Sequence, residues 1–352
     1  MLTFLVFVLV LGLLIFVHEA GHFIAARLAG VKVEEFAFGF PPTLFARRRG
    51  GTKYMINAIP LGGYVKLLGE DENVKKKNSF SGKKARFRLA IVVAGVIMNF
   101  LLAYILLVAG YLVGTNPIAI DPAKLGGQHT DQVLIAQIEE GSPAETADLR
   151  AGDFLNGFTS AEVFAQFTKD NQGKEVTFNI ERKRHQFPVT VKLRAAENMP
   201  ALGVALSGQG TRVRLGFWGA LGAGGREVGG FIKLAINFLG QFFVTLFDHG
   251  KISEEVAGPI GIYTITGQAV QLGWIYVMQF VAILSLNLGL INILPFPALD
   301  GGRAVFIFLE GVLRRKVVRL EVEAIMHTVG FVLLIALMAA ITYRETVRYI
   351  IK

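Results

Sequence analysis

Residues 1–24 read MLTFLVFVLVLGLLIFVHEAGHFI, and this stretch decides what kind of protein the chain is. Up to Val17 it is almost wholly apolar. A secretory signal peptide needs basic residues ahead of such a run and a small-residue cleavage site behind it. Here the run leads straight into His18-Glu19. Residues 1–24 are therefore read as a retained transmembrane helix, because the bilayer core takes roughly 20 apolar residues to cross. The helix closes on His18-Glu19-Ala20-Gly21-His22, an H-E-x-x-H motif. In a helix the two histidines stand one turn apart on one face, where both can ligate Zn²⁺, with the glutamate placed to deprotonate a bound water. Ionisable groups ending an apolar span are costly and usually functional; the plainer alternative is a polar cap at the membrane interface. His129, His185, His249 and His327 lack comparable spacing and read as surface or helix-end histidines.

The rest of the chain agrees with a membrane setting. Of 352 residues, 53% are hydrophobic and 18% charged, against roughly 25% charged in ordinary globular proteins, and the mean hydropathy is +0.50. This excludes a disordered or collagen-like chain. The absence of cysteine excludes disulfides, zinc ribbons and thiol nucleophiles. Further spans are expected at about 90–113, 274–294 and 324–342. The net charge of +9, from 36 basic and 27 acidic residues, is gathered between spans. Arg47-Arg48-Arg49, Lys75-Lys76-Lys77, Lys83, Lys84, Arg86 and Arg88 lie between the first two. Arg314, Arg315, Lys316 and Arg319 lie between the last two. Clustered Lys and Arg stay cytoplasmic, which places both loops inside and both termini outside and calls for no nucleic-acid partner. Lys75–Lys77 is a solvated run or a contact to anionic membrane lipid.

Residues 115–212 form the main water-facing block, outside the membrane. Val133–Ile138 and Val176–Ile180 read as strands and Ala161–Phe167 as a short helix. Gly141-Ser142-Pro143 and Asn171-Gln172-Gly173 read as turns. Residues 231–247 are apolar except for Lys233, Asn237 and Gln241, spaced to form one polar stripe on a helix. Such a helix either spans the membrane or lies along its surface.

Two histidines leave a tetrahedral catalytic zinc in need of a third protein ligand. The strongest candidate is Asp300, which ends an apolar span that Pro295 and Pro297 must break. Asp300 also suits the N-cap of a helix over 302–313, and the two roles are compatible. A shared zinc requires Asp300 and His22 to end on the same side. That holds only if 231–247 lies on the surface; a further crossing would put Asp300 roughly 30 Å away.

His18-Glu19-Ala20-Gly21-His22 on the first span, with Asn292-x-x-Pro295-x-Pro297-x-Leu299-Asp300-Gly301 on a later one, resembles the site-2 protease family of intramembrane zinc metalloproteases. More narrowly it is similar to the RseP-type regulators of sigma-E. The resemblance implies one Zn²⁺ per chain held by His18, His22 and Asp300, with Glu19 as general base and acid. It assigns substrate contacts to Asn292, Pro295 and Pro297; the plainer role for Asn292 is capping the broken helix. Lys53–Ile59 and Tyr64–Leu68, flanking Pro60-Leu61-Gly62-Gly63, match the family's membrane-associated β-loop. Read as a hairpin over 53–68, it offers Tyr54, Met55 and Ile56 for pairing with a substrate strand, or merely seals the site. Glu140–Asp153 is similar to a stretch of bacterial PDZ domains, with Asp148 where a glycine is usual, and Leu202-Gly203-Val204 matches the carboxylate loop. The expected architecture is a polytopic α-helical membrane protein of four transmembrane helices, a membrane-associated β-hairpin and an extracytoplasmic α+β PDZ-like domain. Its parts are 1–114 (two spans and the hairpin), 115–212 (PDZ-like), 213–272 (surface helix and linker) and 273–352 (two spans). The expected partners are single-span membrane proteins, such as an anti-sigma factor after a first cut or remnant signal peptides. Rival readings are a non-catalytic binding protein, disfavoured by an intact Glu19, and a zinc transporter, disfavoured by the scarcity of polar residues in 90–113.

Overall fold

The computed structural model describes the chain except residues 71–73, 75, 183–184, 196–198, 250–256 and 349–352, so Lys75 lies outside the described residues. The chain forms two compact units. One comprises residues 1–106, 231–267 and 280–352, the other residues 107–230 and 268–279. The elements run α1 (Leu2–Leu28), β1 (Val33–Arg49), β2 (Thr52–Leu67), α2 (Ala85–Val113), β3 (Gln128–Ile138), α3 (Pro143–Thr146) and β4 (Phe154–Asn156). They continue with α4 (Ala161–Asp170), β5 (Glu175–Arg182), β6 (His185–Lys192), β7 (Val204–Arg214), α5 (Phe217–His249), α6 (Pro259–Leu272), α7 (Trp274–Ile293), α8 (Asp300–Leu313) and α9 (Leu320–Thr346).

Among the described residues four helices are long and apolar enough to cross a membrane: Leu2–Leu28, Ala85–Val113, Trp274–Ile293 and Glu321–Thr346. At 1.5 Å per residue even the shortest reaches about 30 Å. The four expected spans are therefore present, each within a few residues of its expected ends. Their outward surface is oily. Phe4, Leu5, Leu9 and Leu13 of α1 and Val329, Phe331, Val332 and Leu333 of α9 are exposed, which suits lipid rather than water. Helix α5 is the longest, at 33 residues, yet is not among the four.

The β-region of the first unit differs from the hairpin expected over 53–68. The two arms of that hairpin are stretches of one long strand, β2, and they pair with β1 rather than with each other. Residues 43–49 of β1 pair antiparallel with 52–57, from Thr43↔Asn57 to Arg49↔Thr52. Residues 33–38 pair antiparallel with the far arm, from Val33↔Leu67 to Phe38↔Gly63. They also pair with the near arm from Glu35↔Lys53 to Phe38↔Ile56, where both numbers rise together. The extended segments thus lie in the order 43–49, 52–57, 33–38, 63–67. A lone hairpin is marginal, and inserting 33–38 between the arms pairs two further backbone edges. Phe36 fixes this sheet on α1, with its ring 6.0 Å from Phe16 and 5.3 Å from Phe23. Val33, Ala37, Met55 and Leu67 are buried.

The second unit carries a five-stranded sheet in the order β6-β5-β4-β3-β7, with every neighbouring pair antiparallel. The expected strands fall within β3 and β5 and the expected helix within α4. Val133, Ile135, Leu155, Phe164, Phe178, Ile180 and Leu202 form its core, each large side chain contributing about 1.5–3 kcal/mol on burial. The turn after α3 places Asp148 at φ +54, so the backbone keeps the left-handed geometry although the residue is not glycine. Asp153, 1% exposed, accepts from Arg182 Nε at 2.7 Å and from Arg150 N at 2.8 Å. That ion pair ties β5 to the start of β4.

Candidate metal centre

Helix α1 carries His18, Glu19 and His22 on its penultimate turns, and the four-residue spacing brings His18 Nε2 within 3.2 Å of His22 Nε2. Asp300 opens α8. Leu299 occupies the N-cap position and Asp300 the first turn, so its carboxylate is not consumed in capping. Its Oδ2 lies 3.0 Å from His18 Nε2 and 3.3 Å from His22 Nε2. The residues brought together are thus the three that the sequence analysis singled out.

This triangle fits a metal ion. Ligand atoms around a tetrahedral zinc with bonds of roughly 2.0–2.1 Å sit about 3.3 Å apart, the spacing seen among these three atoms. Asp300 Oδ2 is buried without a hydrogen-bond partner, as expected of an atom reserved for a cation. The imidazoles are oriented from behind. His22 Nδ1 lies 2.9 Å from Ile91 O, and a carbonyl only accepts, so Nδ1 carries the proton and Nε2 keeps its lone pair. The amide of Asn99 lies 3.1 Å from His18 Nδ1. The facing atom is Nδ2, while Asn99 Oδ1 is buried without a partner; the amide turned over would offer its oxygen to the Nδ1 proton and leave His18 Nε2 free to ligate. Asn99 is itself placed by α7, since Ser285 Oγ donates to Asn99 O at 2.8 Å.

Glycines make the close approach possible. A Cβ at Gly21 would lie 2.8 Å from Ala94 C and 2.9 Å from Gly95 Cα, so α1 and α2 cross in direct backbone contact, as small residues permit in membrane helices. A Cβ at Gly95 would lie 2.8 Å from Cε1 of both His18 and His22. The two imidazoles occupy the space that a side chain at 95 would take. At the other face, Gly301 packs under the carbonyls of Ile293 and Leu294, and a Cβ there would overlap them. This folds the Pro295–Leu299 turn back so that Asp300 meets the histidines.

The cavity around the triad is also lined by Glu19, Gly63, Tyr64, Val65, Leu67, Glu70, Phe80, Val92 and Arg303. Gly63 closes on the glutamate: a Cβ there would lie 2.8 Å from Glu19 Cγ. Tyr64 donates to Glu35 Oε2 at 3.1 Å. Its burial, followed by that bond and the Glu35 charge, raises its phenol above the usual range, so Tyr64 stays protonated. Arg303 pairs with Glu70 and lies over the Phe80 ring at 5.2 Å.

The expected substrate residues fare differently. Asn292, Pro295 and Pro297 sit at the end of α7 and in the turn that follows, and none is among the residues lining the cavity. Tyr54, Met55 and Ile56 do not form an open edge. Each pairs on both sides, Tyr54 with Arg47 and Phe36, Met55 with Ala46 and Ala37, Ile56 with Phe45 and Phe38. A strand with both edges paired cannot accept another. The edge beside the metal centre is Gly63–Leu67, which among the described residues pairs with β1 alone, with Leu67 N–H donating to Glu70 Oε2 at 2.9 Å; Gly63, Tyr64, Val65 and Leu67 line the cavity. Asn99, Gly95, Glu70 and Arg303 were missed as site residues. Nothing local marks them, because each acts across 69 or more residues of sequence. His327 is no surface histidine: its Nδ1 accepts from Ala298 N–H at 2.9 Å.

The sequence matches peptidase family M50 over residues 6–337. A Fusobacterium nucleatum protein is 33% identical over 98% of both chains. The zinc metalloprotease RasP of Shouchella clausii is 29% identical over 97% of this chain and 98% of its own. The regulator of sigma-W protease RasP of Bacillus subtilis is 26% identical over 98% of each. With four apolar helices, an H-E-x-x-H helix and a family match along nearly its whole length, the chain belongs to peptidase family M50 and is an integral membrane zinc metalloprotease.

Proposed function

We propose that the protein is an intramembrane endopeptidase that hydrolyses a peptide bond within or beside the membrane-spanning segment of a single-span protein. The observation that carries this reading is the triangle of His18 Nε2, His22 Nε2 and Asp300 Oδ2, closed at 3.0–3.3 Å at the ends of apolar helices. His18, His22 and Asp300 would hold one zinc ion, which would supply Lewis-acid polarisation of the scissile carbonyl and a water of lowered pKa. Glu19, in the same cavity, is placed to accept a proton from the attacking water and return it to the leaving amine. The free edge at Gly63–Leu67 aligns the substrate as an added strand, which unwinds a helix before it is cut. Asn292, Pro295 and Pro297, at the end of α7 and in the turn that follows, contact the substrate outside the lining of this cavity.

The same geometry supports a membrane orientation. Helix α1 and helix α7 both reach the centre at their C-terminal ends, so they run in one direction, with α2 returning between them. No further crossing fits, and α5 accordingly lies along the membrane surface. The basic segments at Arg47–Arg49 and Arg314–Arg319 then face the cytoplasm, and on this reading the centre lies near that side of a bacterial plasma membrane. Both termini and the 115–212 block face outward, the block as a PDZ-like module that excludes substrates with bulky outer domains. By analogy with the sigma-W regulator, a suitable substrate is an anti-sigma factor shortened by a first protease; remnant signal peptides fit the same chemistry.

The test is Glu19→Gln in purified protein. The amide is nearly isosteric but cannot take a proton, so zinc content stays at the wild-type level while cleavage of a tagged single-span substrate falls by about 10²–10⁴-fold. Wild-type turnover would refute the mechanism.

A further inference from the structure

Helix α9 turns one face, Glu323, His327 and Gly330, toward the segment that carries Asp300. His327 and Glu323 are partly buried and Gly330 is buried, whereas Ala324, Ile325, Thr328 and Val329 between them are exposed. Two contacts join this face to the turn before α8. Ala298 N–H donates to His327 Nδ1 at 2.9 Å. Gly330 lies so close that a Cβ there would sit 2.7 Å from Pro297 C. Ala298 is held at φ +77, a region that L side chains seldom adopt without an external tie.

We propose that His327 is a positioning residue for the zinc site, acting through Ala298 to set where Asp300 meets the two histidines. The proposal rests on the reading of Asp300 as a zinc ligand. Its geometry is a lever: Asp300 lies two residues beyond Ala298, about 7 Å along the chain. A 30° relaxation of φ at Ala298 toward an ordinary value swings the Asp300 carboxylate by about 2–4 Å unless packing resists. A zinc site tolerates about 0.2 Å. The bond also fixes the state of the imidazole. Nδ1 accepts, so the ring is neutral and its proton is on Nε2, buried and 4.0 Å from Glu323 Oε1. Glu323 in turn lies 3.9 Å from Arg303 Nε, one turn after Asp300 on α8. Thus α9 contacts both the turn that leads into Asp300 and the helix that leaves it.

The experiment measures zinc affinity of the full-length protein in detergent by chelator competition, with thermal unfolding of each variant alongside. His327→Leu and His327→Asn have nearly the same shape, but only asparagine offers an acceptor near the Nδ1 position. Loss of a group that orients a metal ligand costs about 10–100-fold in affinity. His327→Leu is therefore expected to weaken zinc by that factor, with His327→Asn within about threefold of wild type. Wild-type affinity in folded His327→Leu, or equal loss in both variants, overturns the proposal. If His327→Leu does not fold, His327→Asn alone decides, and a tenfold loss there is fatal. Asp300→Ala serves as the control. If it keeps full zinc, the ligand assignment is wrong; if it loses zinc while His327→Leu does not, only the positioning role is wrong.

Discussion

Replacing Gly95 with alanine adds one methyl group at the back of the metal centre. By helix propensity alone, the change favours α2 by about 0.8–1 kcal/mol, because glycine is the poorer helix former. The tertiary structure reverses the sign for function. The new Cβ would lie 2.8 Å from Cε1 of His18 and of His22, and closer still to His22 Nε2, where ordinary contact begins at 3.4 Å. One ring or both must retreat by about 0.6 Å or more, yet His22 is tethered to Ile91 O at 2.9 Å and His18 to Asn99 at 3.1 Å. Metal–ligand distances tolerate about 0.2 Å, and a misplacement of about 1 Å costs on the order of 10²-fold in rate. Gly95→Ala should therefore keep helical content and detergent stability while zinc affinity falls at least tenfold and turnover about 10²-fold. Gly289→Ala is the control, since its nearest neighbours would sit at an ordinary 3.5 Å. Zinc by mass spectrometry, circular dichroism and cleavage of a single-span substrate give the three readouts. Full zinc and wild-type turnover in Gly95→Ala would refute the reasoning.

Three further outcomes follow from the same geometry. Prolines placed singly at Tyr64 and Val65 test the substrate edge: of two neighbouring residues, one N–H points to β1 and the other to the free edge, so one variant should lose cleavage while keeping zinc, and normal cleavage by both would remove the strand-addition role. Asp153→Ala removes the buried partner of Arg182, which keeps the exposed Asp148, and strips the acceptor from Arg150 N–H, so it should destabilise the second unit by about 1–3 kcal/mol, read by proteolysis of the 115–212 block; unchanged resistance would show that pair to be dispensable. A cysteine at Lys233 should react with an impermeant reagent added outside intact cells and one at Arg315 only after lysis; the reverse pattern would overturn the proposed orientation.

The spans, the H-E-x-x-H helix and the candidacy of Asp300 were legible in the sequence because each rests on a local regularity. Twenty apolar residues cross a bilayer whatever their neighbours, a four-residue spacing puts two histidines on one helical face, and prolines break a span wherever they stand. Strands β3 and β5 and helix α4 were readable for the same reason. What only the tertiary structure decided is non-local. Pro60-Leu61-Gly62-Gly63 resembles a hairpin turn, yet 33–38 inserts between its arms; this closes both edges of Tyr54–Ile56 and leaves Gly63–Leu67 open, and strand neighbours are not encoded by a turn. Gly95 gives no local sign that two imidazoles fill its missing side chain. Asn99 looks like one polar residue in an apolar span until α1 and α2 cross, and His327 like a helix-end histidine until α9 meets the turn before Asp300. Such assignments depend on which surfaces touch between residues distant in sequence, 29 apart for His327 and Ala298 and 81 apart for Asn99 and His18, and backbone pairing and packing settle that only once the chain has folded.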